Sequence, residues 1–347
     1  MRALGFVLRD AWRLASPYFR SEERGQAWLL LGFIVAAIFI MNGLNVILNY
    51  WNAALVNSLT EKDLPGFFEL LLTYRSGPAG FMPGFVPIVA LYIPVAIYRT
   101  YLNQVLQIRW RRWLTRHYLG EWLHGANHYR MQLQGDAADN PDQRIQEDTR
   151  LLGDYTADLG CGIVYSLLQI IAFVGVLWAL SAQVTFQVAG YDIAIPGYMV
   201  WCALAYALIG SGLTWLVGRP LIALNGERYA REAEFRFALV RVNESSESIA
   251  LHAGEKDEQR HLEAALAAVV DTMRRISSSL AHLTWITSGT GWLSLVVPIL
   301  VAAPAYFGGN LTLGGLIMVA GAFTQVQGAM QPQVPLSVPP TQPQPQA

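Results

Sequence analysis

From Ala27 to Met41 the chain reads Ala-Trp-Leu-Leu-Leu-Gly-Phe-Ile-Val-Ala-Ala-Ile-Phe-Ile-Met, without one charge. Such a run is buried either in a very large soluble core or in lipid. Composition decides between them. Of 347 residues 53% are hydrophobic and only 14% are charged, whereas a soluble chain carries about 25% charged residues. Lipid therefore replaces water around much of the surface. A hydrocarbon core about 30 Å thick takes about 20 apolar residues per helix. Six segments meet that requirement: 27–50, 81–98, 159–180, 196–218, 284–306 and 312–330. The first lies too far from the N-terminus, and is too long, for a cleaved signal peptide. Pro83, Pro87 and Pro94 fall in the second span. The expected fold is an all-α membrane protein of six transmembrane helices.

Lysine and arginine set its orientation, because cytoplasmic loops carry the excess. Residues 1–26 hold five, 99–158 hold eight and 219–283 hold nine, against two in 51–80 and none in the remaining connections. Both termini and the two long loops are expected to be cytoplasmic. Arg109–Trp122 and Leu221–Met273 have few breakers and read as helices running out of the membrane into the cytoplasm. Leu64–Glu69 reads as a short external helix.

Several chemistries are excluded. The net charge of −1 calls for no nucleic acid. Cys161 and Cys202 sit in apolar runs, and the six histidines show no metal spacing, so neither a disulfide framework nor a metal site is expected. The only lysines are Lys62 and Lys256, and neither ends a G-x-x-x-x-G-K-[ST] phosphate loop. This stretch is therefore expected to carry no catalytic residues and no nucleotide site.

Three groups of polar residues stand out. In Asn140–Thr149, Asn140 and Pro141 read as a helix start. Arg144, Glu147 and Asp148 follow at spacings where opposite charges meet on one face. On charge alone this is a solvated, self-paired helix start. In Arg228–Ala250, Phe235, Leu239, Val242, Ser246 and Ile249 form a packing stripe, while Arg228, Glu232, Arg236, Glu244 and Glu247 take other faces. That is either an exposed charged helix or an ion-pair network that changes partners as a transporter changes state. Glu232 and Glu234 would be protonation sites if they faced a water-filled cavity. Asn42, Asn45, Asn49 and Asn52 make a polar stripe on the first span that should face helices or a cavity rather than lipid. Asp154, Asp158 and Arg99 read as membrane-edge charges that snorkel to the interface.

The segment Asn-Pro-Asp-Gln-Arg-Ile-Gln-Glu-Asp at 140–148 resembles a motif of one ABC exporter-type group. The group holds SbmA/BacA-like peptide transporters, YddA-type fused permease–ATPases and peroxisomal fatty-acyl half-transporters. Gly218-Arg-Pro-Leu, Arg231–Arg241, Glu247-Ser-Ile-Ala, Asn49-Tyr-Trp-Asn, Leu311–Met318 and Phe323–Ala329 match in order, so the likeness covers about 25–330. It is nearest the fused branch. The resemblance implies a bacterial inner-membrane half-transporter that forms a homodimer and docks nucleotide-binding domains through its intracellular helices. ATP and Mg would then act only through such a partner domain. The cargo implied is a peptide-like or other amphiphilic solute. Glu232, Glu234 and Arg236 match the segment said to couple the two domains, with Arg144, Glu147 and Asp148 next, and the asparagine stripe is a candidate cavity wall. The expected organisation is 1–26 cytoplasmic, 27–330 transmembrane domain, and 331–347 a Pro/Gln-rich tail reading as disordered, with the look of a truncation scar. The alternatives are a proton-driven SbmA/BacA-like importer and an inactive remnant that only binds partners.

Overall fold

Backbone at membrane depth must satisfy its own hydrogen bonds, so the apolar runs can only be helices. The computed structural model describes residues 13, 16–77, 80–133, 144–182, 186–188, 191–193 and 195–330. Among them six helices are long and apolar enough to span a bilayer. These are α1 (Arg24–Thr60), α3 (Phe85–Leu123), α5 (Thr149–Ser181), α6 (Tyr198–Glu244), α8 (Glu255–Phe307) and α9 (Leu313–Met330). Shorter elements join them: α2 (Leu64–Leu72), strands β1 (Tyr74–Gly77) and β2 (Gly80–Pro83), α4 (Asn127–Leu133), strands β3 (Phe186–Val188) and β4 (Tyr191–Ile193), and α7 (Ser246–Leu251). The 331–347 tail and Asn140–Gln143 lie outside the described residues. The chain divides into two compact units, one of residues up to 200 together with 301–329, the other centred on residues 201–300.

In the first unit α1, α3 and α5 pack together. Leu30, Ile34 and Ile38 recur every four residues on α1 and meet Leu106, Trp110 and Leu114 of α3 and Ala157 and Cys161 of α5. The N-terminal elbow closes this core. Tyr18 is fully buried, stacked on Trp110 at 5.5 Å and edge-on to Phe19 at 5.3 Å. Polar contacts fasten the elbow to α3: Arg112 pairs with Glu23 at 2.9 Å, and Arg109 donates to Gln26.

The Tyr18 hydroxyl has no hydrogen-bond partner among the described residues. Burial raises its pKa first, and Glu23 adds to that, while Arg109 and Arg112 pull the other way. The folded state therefore disfavours the phenolate. The corresponding stability is present below the ordinary tyrosine value of 10.0 and is lost as pH climbs above it. Tyr18→Phe, which deletes a buried hydroxyl without a partner, is expected not to lower the melting temperature at pH 7. Above about pH 10 it should melt higher than the parent. Thermal unfolding of the detergent-solubilised proteins across that range checks both halves.

The connection after α1 is tied by one carboxylate. Lys62 takes a left-handed turn at φ 57°. Asp63 then caps α2, its carboxylate accepting from the Gly66 N–H at 3.1 Å and from Arg75 at 2.8 Å. The Trp51 indole donates to the Leu70 carbonyl at 2.7 Å. Strands β1 and β2 pair antiparallel, Tyr74 opposite Pro83. This corrects the expected span 81–98: Phe81–Pro83 belong to β2, and α3 starts at Phe85. Pro83 is thus a strand residue. Pro87 sits in the first turn of α3, where a missing N–H costs nothing, and Pro94 lies inside the helix, freeing a carbonyl one turn back.

Two asparagines seat α9 on α1. Asn49 Nδ2 donates to the Met318 carbonyl at 3.1 Å, and Asn57 Oδ1 accepts from the Gly314 N–H at 2.9 Å. A Cβ on Gly314 would run into the Ala53 carbonyl and Asn57, and one on Gly321 into Asn49 Oδ1. Glycine is what permits this approach.

Most of α6 and α8 lies in the second unit; the helices are 47 and 53 residues long, about 70 and 80 Å at 1.5 Å per residue. Both outrun a bilayer. The Tyr206 hydroxyl donates to the Thr290 carbonyl, and Gly210 faces the Thr290 side chain. Thr284, Thr287 and Thr290 return their hydroxyls to carbonyls of their own helix, which satisfies them without water. The expected continuous helix over Leu221–Met273 is broken at Ser245 and again at His252–Gly254. Trp215, Trp285 and Trp292 are largely exposed.

Candidate functional site

Beyond Gly218 the sequence of α6 changes from apolar to charged, and its ion pairs are mostly local. Arg228 Nε lies 3.6 Å from Glu232, one turn on, and its guanidinium stands over the Tyr229 ring at 5.0 Å. Arg231 pairs with Glu234 at 2.9 Å. Arg236 is exposed and also engaged. A longer-range bond joins the arms: Arg275 of α8 holds both oxygens of Glu227 at 3.0 Å. Exposed pairs of this kind are worth at most about 1 kcal/mol each. They can exchange partners at small cost. Between the arms, α7 and the turn after it present Leu251, 76% exposed, as an apolar tip.

The 140–149 segment enters the described residues at Arg144, the first residue of a π-helical turn over Arg144–Asp148. Nothing is described of the Arg144 side chain. Glu147 does not wait for it: its carboxylate lies 3.7 Å from Arg150, which also reaches Asp154 at 3.6 Å. Asp148 is exposed. Thr149, buried, donates to the Ile145 carbonyl at 2.6 Å and faces Thr115 of α3 at 3.4 Å. The segment is thereby docked on α3.

The asparagine stripe divides along its length. Asn42 is buried and returns its amide to the Ile38 carbonyl at 3.0 Å. Asn45 donates to the Tyr165 hydroxyl at 3.5 Å. Asn49 is spent on α9, and Asn52 is exposed. A further polar contact joins α5 to α9, where Gln169 donates to Gln325.

One arrangement escaped the sequence reading. Asp158 accepts from Asn103 and from Gln107, each at 2.8 Å. The Cys161 thiol donates to Asn103 Oδ1 at 3.7 Å, and the Arg99 guanidinium lies 5.5 Å from the centre of the Tyr165 ring. Arg99, Asn103 and Gln107 stand four residues apart on α3, and that spacing was the available signal. Asp158 thus ties α5 to α3 through the Asn103 and Gln107 amides. Among the described residues no three of His, Cys, Asp and Glu converge on a metal position.

Six long apolar helices, two of them continuing into charged arms, define a multi-pass membrane protein with the architecture of an ABC transporter membrane domain. Residues 14–307 match the family described as ABC transporter transmembrane region 2, and the chain belongs to that family. It is 31% identical to the inner membrane ABC transporter ATP-binding protein YddA of Escherichia coli, over 90% of this chain and 54% of that protein. It is 30% identical to the chloroplastic ABC transporter D family member 2 of Arabidopsis thaliana, over 91% of this chain and 41% of that protein. It is also 30% identical to an uncharacterized ABC transporter ATP-binding protein of Synechocystis, over 89% and 43% respectively. The chain spans about half the length of the curated relatives it matches.

Proposed function

We propose that this chain is the permease part of an ABC-type transporter of the YddA-like branch, working as a homodimer in a bacterial inner membrane. Two copies enclose a central cavity and move a peptide-like or other amphiphilic solute by alternating access. Residues 27–330 form the membrane domain, residues 1–26 precede it, and 331–347 are an appended tail. Both termini and the charged arms face the cytoplasm, a reading that the lysine and arginine bias supports. The arms carry the reading: α6 and α8 extend far past a bilayer and end in an exposed α7 tip. Such a tip suits a nucleotide-binding domain outside residues 1–347, which would bring ATP and Mg. The relatives' names, ATP-binding protein, support the same partner. The weak ion pairs around Glu232, Glu234 and Arg236 suit a segment that shifts between two states, and Glu147 and Asp148 stand at the foot of α5.

Energy source separates this reading from a proton-driven SbmA/BacA-like importer. Uptake of a labelled peptide into vesicles containing the transporter with its ATPase should follow ATP and persist when a protonophore is added at constant ATP. Collapse on adding the protonophore would overturn the ATP-driven reading. In the same assay Glu232→Gln is expected to insert normally and to lower transport about tenfold, the scale of an intersite coupling energy. Normal transport by that variant removes Glu232 from the coupling path.

A further inference from the structure

The segment between α1 and α3 carries an apolar face that nothing covers among the described residues. Gly66 and Leu70 of α2 are buried, and the Trp51 indole of α1 holds the Leu70 carbonyl at 2.7 Å. Leu64, Phe68 and Leu72 stand four residues apart on the opposite side of that helix, and each is more than half exposed. Tyr74 and Phe81 of the hairpin, with ring centroids 5.4 Å apart, are as open. Glu69 is the single charge in α2. An apolar patch of this kind marks an interaction surface. Its height along the bundle is fixed by contacts. Trp51 also packs on Phe85, the first residue of α3, at 5.1 Å, so α2 is seated at the shared end of α1 and α3. Along α1, Trp51 stands twenty-five residues from Gln26, about 38 Å, and no charge falls between them. Hydrocarbon takes about 30 Å of such a length, and headgroups extend the bilayer to about 40–45 Å. With Gln26 at one face, beside Glu22, Glu23 and Arg24, Trp51 falls in the headgroup layer of the other.

We propose that α2 and the β1–β2 hairpin form an interfacial anchor, whose exposed face is seated in the phospholipid surface of the bilayer that α1 and α3 cross. Three observations carry this occupant. The open apolar surface continues down α3, a spanning helix, through Phe85, Val86 and Leu91. The polar ends of α2 are closed by protein. Pro65 has no N–H, the Gly66 N–H goes to the Asp63 carboxylate, and the Phe67 N–H goes to the Asp63 carbonyl. At the other end the Leu70 and Thr73 carbonyls accept from Trp51 and from the Gly84 N–H at 2.9 Å. A helix that leaves few backbone groups to water tolerates an apolar surrounding. The charges gather at the start of α2, where Asp63 and Arg75 neutralise each other at 2.8 Å. The helix runs from there back toward Trp51, so Leu72, Tyr74 and Phe81 lie deepest, within the outer 5–10 Å or so that such helices reach. The anchor fixes the height of α1 and α3 in the bilayer whether or not the chain transports, so it stands apart from the reading above.

The test places the full chain in phosphatidylcholine vesicles and attaches a nitroxide to one introduced thiol at a time: Phe68→Cys, Leu72→Cys, Phe81→Cys and, as the water-exposed control, Glu61→Cys. All four positions are exposed, so the fold tolerates the label. Signal from Cys161 and Cys202, buried and part-buried, is measured in the parent and subtracted. Collisions with oxygen, which concentrates in lipid, are compared with collisions with a water-soluble nickel chelate. At Phe68, Leu72 and Phe81 oxygen is expected to relax the label more than the chelate does, and at Glu61 the order should reverse. Chelate access at the three sites equal to that at Glu61 puts the face in water and overturns the proposal. Labels hidden from both reagents mean that protein covers the face, which overturns it equally. Spin–spin broadening that fades on dilution with unlabelled chain would then identify the cover as a second copy.

Discussion

Gly314→Ala is expected to separate α9 from α1, although it adds a single methyl group. The obstacle is the Ala53 carbonyl, a backbone atom that cannot swing aside, with Asn57 Oδ1 behind it. Overpacking of this kind costs about 1–3 kcal/mol. Pushing the helices apart also breaks the 2.9 Å bond from the Gly314 N–H to Asn57, worth about another 1 kcal/mol. Gly314→Leu makes the misfit larger and should leave little folded protein after detergent extraction. The control is Gly328→Ala on the same helix, where an added Cβ meets nothing within 4 Å. Relieving a helix-interior glycine there should stabilise by about 1 kcal/mol. Thermal denaturation followed by size-exclusion recovery measures both. If the two alanine variants behave alike, the close approach of α1 and α9 is not what stabilises this seam.

Trp110→Ala should be the most damaging change at the elbow. Trp110 is 2% exposed and is the residue on which Tyr18 stacks. Removing a buried tryptophan costs about 3–5 kcal/mol, with part of an aromatic-pair energy of about 1 kcal/mol on top. Its indole N–H has no hydrogen-bond partner among the described residues. Trp110→Phe, which keeps a ring and deletes an unmatched donor, should therefore recover most of the loss. The readout is local as well as global. Trypsin cuts after Arg20 and Arg24, and the elbow carrying them should be cleaved far faster in Trp110→Ala than in the parent or in Trp110→Phe. Unchanged cleavage would mean that the elbow is held by the Glu23–Arg112 pair and the Arg109–Gln26 bond instead.

What could be read from the sequence follows interaction range. The six helices were legible because lipid imposes one requirement on every residue of a span, and the requirement shows as an uninterrupted apolar run. Helix ends were less legible. The apolar run Phe81-Met-Pro-Gly-Phe-Val-Pro reads as the start of a span, yet β2 uses its first three residues. A two-stranded pairing depends on Tyr74 and Arg75, which lie across the turn. Local ion pairs were legible too. Arg228 and Glu232 are one helical turn apart, so their 3.6 Å contact could be anticipated from spacing. The Glu227–Arg275 bond, 48 residues apart, and the Arg99–Tyr165 stacking could not. Glycine shows the same limit. Gly314, Gly321 and Gly328 recur every seven residues, and nothing in that period says that an added Cβ would meet α1 at the first two and nothing within 4 Å at the third.

The lengths of α6 and α8 carry a mechanical consequence. A helix of about 70–80 Å is a lever. If it pivots within the bilayer, its far end sweeps through an arc proportional to the overhang. With about 40 Å projecting, a tilt of only 5° displaces the tip by about 3.5 Å, more than a hydrogen bond can stretch. The Glu227–Arg275 bond ties the two rods partway along. A small rotation at one end of this pair is thereby amplified at the other.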